Sequence, residues 1–154
     1  MISKKDSEII SHLRNNAREK VTSISKKTNI PVTTIYDKIR VHEKRFLKKH
    51  ISLLNFQNIG LNAKSQVAIA VERESRDALQ KYLMENMNVN SLAKINFGYD
   101  FLAEVVFKDA GEVQNFTESL EKNYKISRLH IFNVIEELKK EAFLTKPEHV
   151  SLIL

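Results

Sequence analysis

The sequence predicts an α+β protein in two parts, an N-terminal three-helix helix-turn-helix domain followed by a ferredoxin-like βαββαβ domain. Two patterns and a charge imbalance predict it. Up to about residue 45 the apolar side chains recur at helical spacing in three short runs. From residue 64 the period switches between two and 3.6, in the order strand, helix, strand, strand, helix, strand. Residues 1–50 hold 13 Lys and Arg against 5 Asp and Glu, a net of +8, whereas residues 51–154 hold 12 against 14, a net of −2. A basic head on a near-neutral body suits a polyanionic partner.

In the head, Asp6 to Asn15 carries Ile9, Ile10 and Leu13 on one stripe. Asn15-Asn16 interrupts it. A second helix is expected over Lys20–Thr28, with Val21, Ile24 and Thr28 in phase. Asn29 then stands where a left-handed residue commonly closes a helix. Pro31 suits the first position of a third helix, running to about Arg45. With Ile35 and Ile39 inward, a step of about 100° per residue turns Thr33, Asp37, Arg40 and Lys44 outward, with Thr34, Tyr36 and Lys38 on the flanks. Hydroxyls, a carboxylate, a guanidinium and an amine on one face can read base edges in a major groove, which is wide enough to admit a helix. Arg40 can pair with guanine and Asp37 can accept from cytosine, while Lys26, Lys27, Lys38 and Lys44 suit phosphates.

These residues resemble the Lrp/AsnC family of transcriptional regulators. Asp6 to Leu13 with Asn15-Asn16-Ala17-Arg18 is similar to the family's first helix and its exit. Ser23-Ile24-Ser25-Lys26-Lys27-Thr28-Asn29-Ile30 resembles its second helix and turn, and Thr33-Thr34-Ile35-Tyr36-Asp37-Lys38-Ile39-Arg40 its recognition helix. Leu54-Asn55-Phe56-Gln57-Asn58-Ile59-Gly60-Leu61 resembles the linker that follows. The resemblance covers about residues 3–136. The sequence departs from the family at His42, where Leu is usual, and in Glu43–His50, which lacks the helix-breaking Gly near Phe46. The third helix is therefore free to run on past Arg45. His42 falls beside the apolar face, as a hydrogen-bonded structural histidine does.

In the body, Lys64–Val71 alternates with Val67, Ile69 and Val71 on one side. Arg76–Met87 reads as a helix through Leu79, Leu83 and Met87. Val89–Phe97 alternates with Ala93, Ile95 and Phe97 together, and Gly98-Tyr99-Asp100 makes the tight connection to Phe101–Phe107. Asp109 opens a helix with Val113, Phe116 and Leu120 in phase, and Ile126–Ile135 is the last strand. The expected limits are residues 1–50 for the helix-turn-helix, 51–63 for a linker, 64–136 for the effector and dimerisation domain, and 137–154 for a tail. Val150–Leu154 is apolar enough to pack against something.

Two helices cover one face of a four-stranded sheet, and both faces here are apolar. A second copy of the sheet is the simplest cover, so a homodimer or a higher assembly of dimers is expected, unless the head or the tail after Glu136 fills that place. The turn Gly98-Tyr99-Asp100 resembles the family's Gly-x-x-Asp stretch, which implies a small effector such as an amino acid, with Asp100 meeting an ammonium group. A hairpin turn needs a glycine for its own sake, so the signal has a purely structural reading as well.

Other functions find less support. No apolar run reaches the roughly 18 residues that span a bilayer, and Met1–Asp6 lacks a signal peptide's apolar core, so a cytoplasmic protein with no membrane partner is expected. With no cysteine, disulfides, thiolate catalysis and Cys-ligated zinc are excluded. The glycines are isolated, the five histidines lack metal-ligand spacing, and no serine sits in a Gly-x-Ser-x-Gly elbow. No catalytic residue, metal or cofactor is assigned. Two alternatives share the architecture. Sirohaem decarboxylases resemble it, but need a tetrapyrrole pocket where this body has His130 and Arg128 on one strand face. The other is a sensing module whose head no longer reads DNA.

Overall fold

The computed structural model describes residues 2–146, Glu148 and His149. The described residues divide into two compact units, one formed by those up to Leu53 together with those from Leu138 on, the other by Leu54–Glu137.

The first unit contains α1 (Lys4–Asn15), α2 (Val21–Thr28) and α3 (Val32–Arg45). Ile9, Leu13, Ile24, Ile30 and Ile35 form its buried core, with Val21, Ile39 and Leu47 packed against it. Helix α1 begins two residues before the expected Asp6, because Ser3 and Asp6 form a reciprocal capping box. Asn29 closes α2 in the left-handed conformation, at φ 56° and ψ 27°. Pro31 sits at the N-cap of α3, one position earlier than expected. Helix α3 does not run on past Arg45: the Phe46 and Leu47 amides both return to the His42 carbonyl, at 2.8 Å each. Leu47 turns back to the core, so the exit needs no glycine.

The described residues from Leu138 on group with this unit. Arg14 donates to a carboxylate oxygen and the carbonyl of Glu141, at 3.0 and 2.9 Å, and to the Phe143 carbonyl at 3.1 Å. Leu144 is buried. The apolar run Val150–Leu154 lies outside the described residues.

The second unit is an antiparallel sheet in the order β2-β3-β1-β4, built from β1 (Ala63–Val71), β2 (Val89–Lys94), β3 (Phe101–Phe107) and β4 (Ile126–Asn133). Helices α4 (Arg73–Glu85) and α5 (Ala110–Asn123) pack on one face of it. There Val67, Ile69 and Val71 meet Phe101, Ala103, Val105 and Phe107, covered by Leu79 and Leu83 of α4 and by Val113, Phe116 and Leu120 of α5. The register sets Val67 opposite both Ala103 and Ile131. On the opposite face lie Ala68 and Ala70 of β1, Leu102, Glu104 and Val106 of β3, and Arg128, His130 and Phe132 of β4.

Three expectations are corrected. Helix α4 ends at Glu85, so Met87 stands 97% exposed instead of completing a stripe. Strand β2 ends at Lys94, and an irregularity between Val89 and Ser91 shifts its phase. Val89 and Leu92 therefore reach the core, whereas Phe97 lies outside the strand at positive φ and 91% exposed. Strand β4 ends at Asn133, leaving Ile135 exposed. Phe101 is fully enclosed, so Phe101→Ala is expected to cost about 3–5 kcal/mol. A lowered urea midpoint for the body checks this, and an unchanged midpoint contradicts it.

Candidate nucleic-acid interface

Helix α3 presents one face to the core and another to solvent. Ile35 and His42 are buried, seven residues apart and therefore in phase. Thr33, Asp37, Arg40 and Lys44 are all exposed, and Tyr36 beside them is 56% exposed. Thr34 and Lys38 are half-buried. They line a cleft of about 370 Å³ with Asp6, Asp37, Val41, Arg45 and Phe46. Arg45 places its guanidinium 5.6 Å from the Phe46 ring centroid. Spacing alone left Arg45 at the end of the helix and gave it no role, although its charge next to an aromatic residue was a usable signal.

Two carboxylates that the sequence reading passed over hold this face in place. Asp6 accepts from Lys38 Nζ at 2.7 Å and from His42 Nε2 at 2.9 Å, and Ser3 donates to its other oxygen. It thereby ties the start of α1 to the middle of α3. Because the carboxylate only accepts, Nε2 carries the imidazole proton in this pair. Glu19 accepts from His12 Nδ1 at 3.0 Å, Ser23 Oγ at 3.0 Å and Lys27 Nζ at 2.7 Å, tying α1 to α2. Each node thus collects one histidine, one serine and one lysine.

Burial opposes ionisation of Asp6, but hydrogen bonds from Lys38, Ser3 and His42 outweigh it and hold the carboxyl well below its ordinary range. Burial likewise opposes Glu19, and hydrogen bonds from Lys27, His12 and Ser23 lower it. Of the lysines assigned to phosphates, Lys38 and Lys27 are therefore already paired, and only by sharing these carboxylates do they reach a further anion. Lys26 and Lys44 are exposed without that constraint.

The second predicted site divides in two. Gly98 has φ +78°, and the chain turns there as expected. Asp100, however, faces inward: its carboxylate accepts from the Val71 amide at 2.9 Å and pairs with Arg76 at 2.8 Å. Tyr99 points to β4, sharing a 2.7 Å hydrogen bond between its hydroxyl and His130 Nδ1. Among the described residues no cluster of His, Cys, Asp and Glu could hold a metal ion, and no helix is long and apolar enough to cross a membrane.

The family model described as the Lrp/AsnC ligand binding domain matches residues 65–143. An HTH-type transcriptional regulator of Pyrococcus abyssi is 23% identical over 96% of this chain and 100% of its own length. The glutamate uptake regulatory protein of Zymomonas mobilis is 25% identical over 93% of this chain and 90% of its own. A transcriptional regulator of Neisseria meningitidis, solved in complex with L-methionine, superposes with a TM-score of 0.83 at 15% identity, covering 91% of this chain and 94% of that one.

The depressed carboxyls carry a pH signature. A carboxyl whose folded pKa lies below its unfolded value contributes stability above the unfolded value, near pH 4, and loses it as pH falls further. Asp6→Asn is therefore expected to destabilise the head by about 1.5–3 kcal/mol at neutral pH. It should also narrow the stability difference between neutral pH and pH 3, as followed by thermal denaturation. Equal pH dependence in the variant and the parent contradicts the assignment.

Proposed function

The chain belongs to the Lrp/AsnC family of transcriptional regulators, and on that premise we propose that α3 reads duplex DNA in a sequence-specific manner. The observation that carries this is the exposed stripe Thr33, Asp37, Arg40 and Lys44, on a helix whose opposite side is anchored by Ile35 and His42. A helix so held can enter a major groove without losing its packing. Arg40 then faces guanine, Asp37 faces cytosine N4, and Thr33, Thr34 and Tyr36 fill the remaining contacts. Lys26 and Lys44 meet phosphates first. Lys27 and Lys38 join by sharing Glu19 and Asp6.

The chain acts as a dimer in this reading, or as an assembly of dimers. The support is the sheet face away from α4 and α5, where Ala68, Ala70, Leu102, Val106 and Phe132 stand together. A dimer sets two heads at a fixed separation and gives an operator with twofold symmetry. A small effector at the Gly98–Tyr99 turn modulates it. The L-methionine complex of the Neisseria meningitidis regulator supports an amino acid or a close relative as that effector. The regulator works where the DNA is, in the cytoplasm, and the reading needs no catalytic step.

Arg40→Ala is expected to weaken the preferred duplex by about 1–3 kcal/mol and to relax selectivity at one base pair. Lys26→Ala should weaken all duplexes alike and reduce the salt slope by about one. Fluorescence anisotropy across a salt series reads both. Identical affinities for the parent and Arg40→Ala on every duplex contradict the groove assignment. Phe132→Glu is expected to shift the dimer towards monomer by light scattering, and a parent chain that is monomeric at micromolar concentration contradicts the assembly.

A further inference from the structure

Helix α3 carries its cations on two faces. Arg40 and Lys44 share the base-facing stripe with Thr33 and Asp37. Lys38 and Arg45, seven residues apart and so in phase with each other, line the cleft beside that stripe. Arg45 stands five residues beyond Arg40, about 7.5 Å further along the axis. Two more lysines, Lys48 and Lys49, follow closely. Lys44, Arg45, Lys48 and Lys49 are all exposed. Among the described residues, none of the four has a carboxylate within ion-pair distance. The only acidic side chain among residues 41–50, Glu43, accepts from His50 Nε2 at 3.2 Å. A run of cations is often no more than a solvated surface, but this one is held in place. The Phe46 and Leu47 amides both bond to the His42 carbonyl, and Leu47 packs on the core of the head. The chain just before Lys48 is therefore fixed to the end of α3. The Arg45 guanidinium rests 5.6 Å from the Phe46 ring centroid, which tethers its charge beside the cleft.

We infer that Arg45, Lys48 and Lys49 form a backbone clamp, a second DNA contact that grips phosphates along the wall of the groove whose floor α3 reads. The clamp rests on the reading of α3 as the recognition helix. In a helix-turn-helix complex the N-terminal part of that helix meets the base edges. Its C-terminal end leads away from the bases, and the anionic groups it meets there are the phosphates that border the groove. A guanidinium suits a phosphate as a bidentate fork, and the two ammonium groups suit it as point charges. Because the start of the segment is already ordered, gripping DNA costs it little further conformational entropy. Asp37 also lines the cleft and repels a phosphate, but it stands eight residues before Arg45, about 12 Å away along the helix. Lys27 and Lys38 reach an anion only by sharing Glu19 and Asp6, whereas these three cations reach one without giving up a partner. Contacts of this kind add affinity and fix the register on the duplex, and they carry no base preference.

The test measures binding of the full chain to its preferred duplex and to random duplexes of the same length, across a salt series. The double variant Lys48→Ala/Lys49→Ala should flatten the dependence of log affinity on log salt by about two for each head engaged. The parent's advantage over it then falls about tenfold per head between about 50 and 200 mM salt. The loss should be the same factor on preferred and random duplexes, as phosphate contacts require. Arg45→Gln should flatten the slope by about one per head. Lys48→Arg/Lys49→Arg, which keeps both charges, should restore the slope of the parent. Duplexes carrying single neutral methylphosphonates locate the contact. The linkages that weaken the parent but not Lys48→Ala/Lys49→Ala should lie beyond the base pairs that α3 reads. An unchanged salt slope in the double variant, a loss confined to the preferred duplex, or no linkage with that differential effect overturns the clamp and leaves the reading of α3 standing. A parent chain that binds no duplex in a sequence-dependent manner overturns both.

Discussion

The three-helix head depends on two carboxylates. Its buried apolar core is small, formed by Ile9, Leu13, Ile24, Ile30 and Ile35. Burial alone gives a unit of this size little margin. Asp6 fixes α3 against α1 and Glu19 fixes α2 against α1, each through three side-chain donors. Breaking one partner of such a node leaves the others desolvated and unpaired, so the nodes specify the helix arrangement as well as stabilise it. The same nodes engage Lys27 and Lys38, which leaves Arg40 and Lys44 as the cations exposed on the outward face of α3 without such a partner. Packing and recognition are therefore coupled in the head: the residues that orient the helix also set which of its charges are free to meet DNA.

The body obeys a different constraint. One face of its sheet is buried under α4 and α5, and the alternation of β1 and β3 satisfies that face with Val67, Ile69, Phe101, Ala103 and Val105. The other face mixes apolar side chains with polar ones, among them Glu104, which is 7% exposed and accepts from Gln66 at 3.1 Å. A surface that is partly apolar and carries an oriented buried carboxylate suits one register of pairing better than another. At the end of that face, Asp100 and Arg128 lie on opposite sides of a single turn, so its two surfaces carry opposite chemistry.

What the sequence made legible was what depends on local periodicity. Strand β3 lies where its two-faced alternation puts it, and α5 follows from Val113, Phe116 and Leu120 with Asp109 at its N-cap. The outward stripe of α3 came from phase alone. Contacts across long sequence separations were not legible. Nothing near Asp6 announces Lys38 or His42, 32 and 36 residues away, although Ser3 followed by Asp6 was a readable capping box. The irregularity at Val89/Ser91 hid the phase of β2, because one extra residue moves every later side chain to the other face. The exit of α3 departs from the sequence expectation for a related reason. It rests on Leu47 returning to the core, a tertiary contact, and not on a glycine. The tail carried no period at all, and its attachment to Arg14 is made largely through backbone carbonyls.

The central claim is that α3 reads a particular base sequence in a symmetric pair of heads. Selection of bound sequences from a random duplex pool by the full chain tests it most directly. The account predicts enrichment of an inverted repeat whose half-sites lie about 10 base pairs apart, or a multiple of that. It also predicts that the Arg40→Ala chain loses preference at one position in each half-site. A pool that remains random after repeated rounds, with binding that follows salt alone, would contradict it.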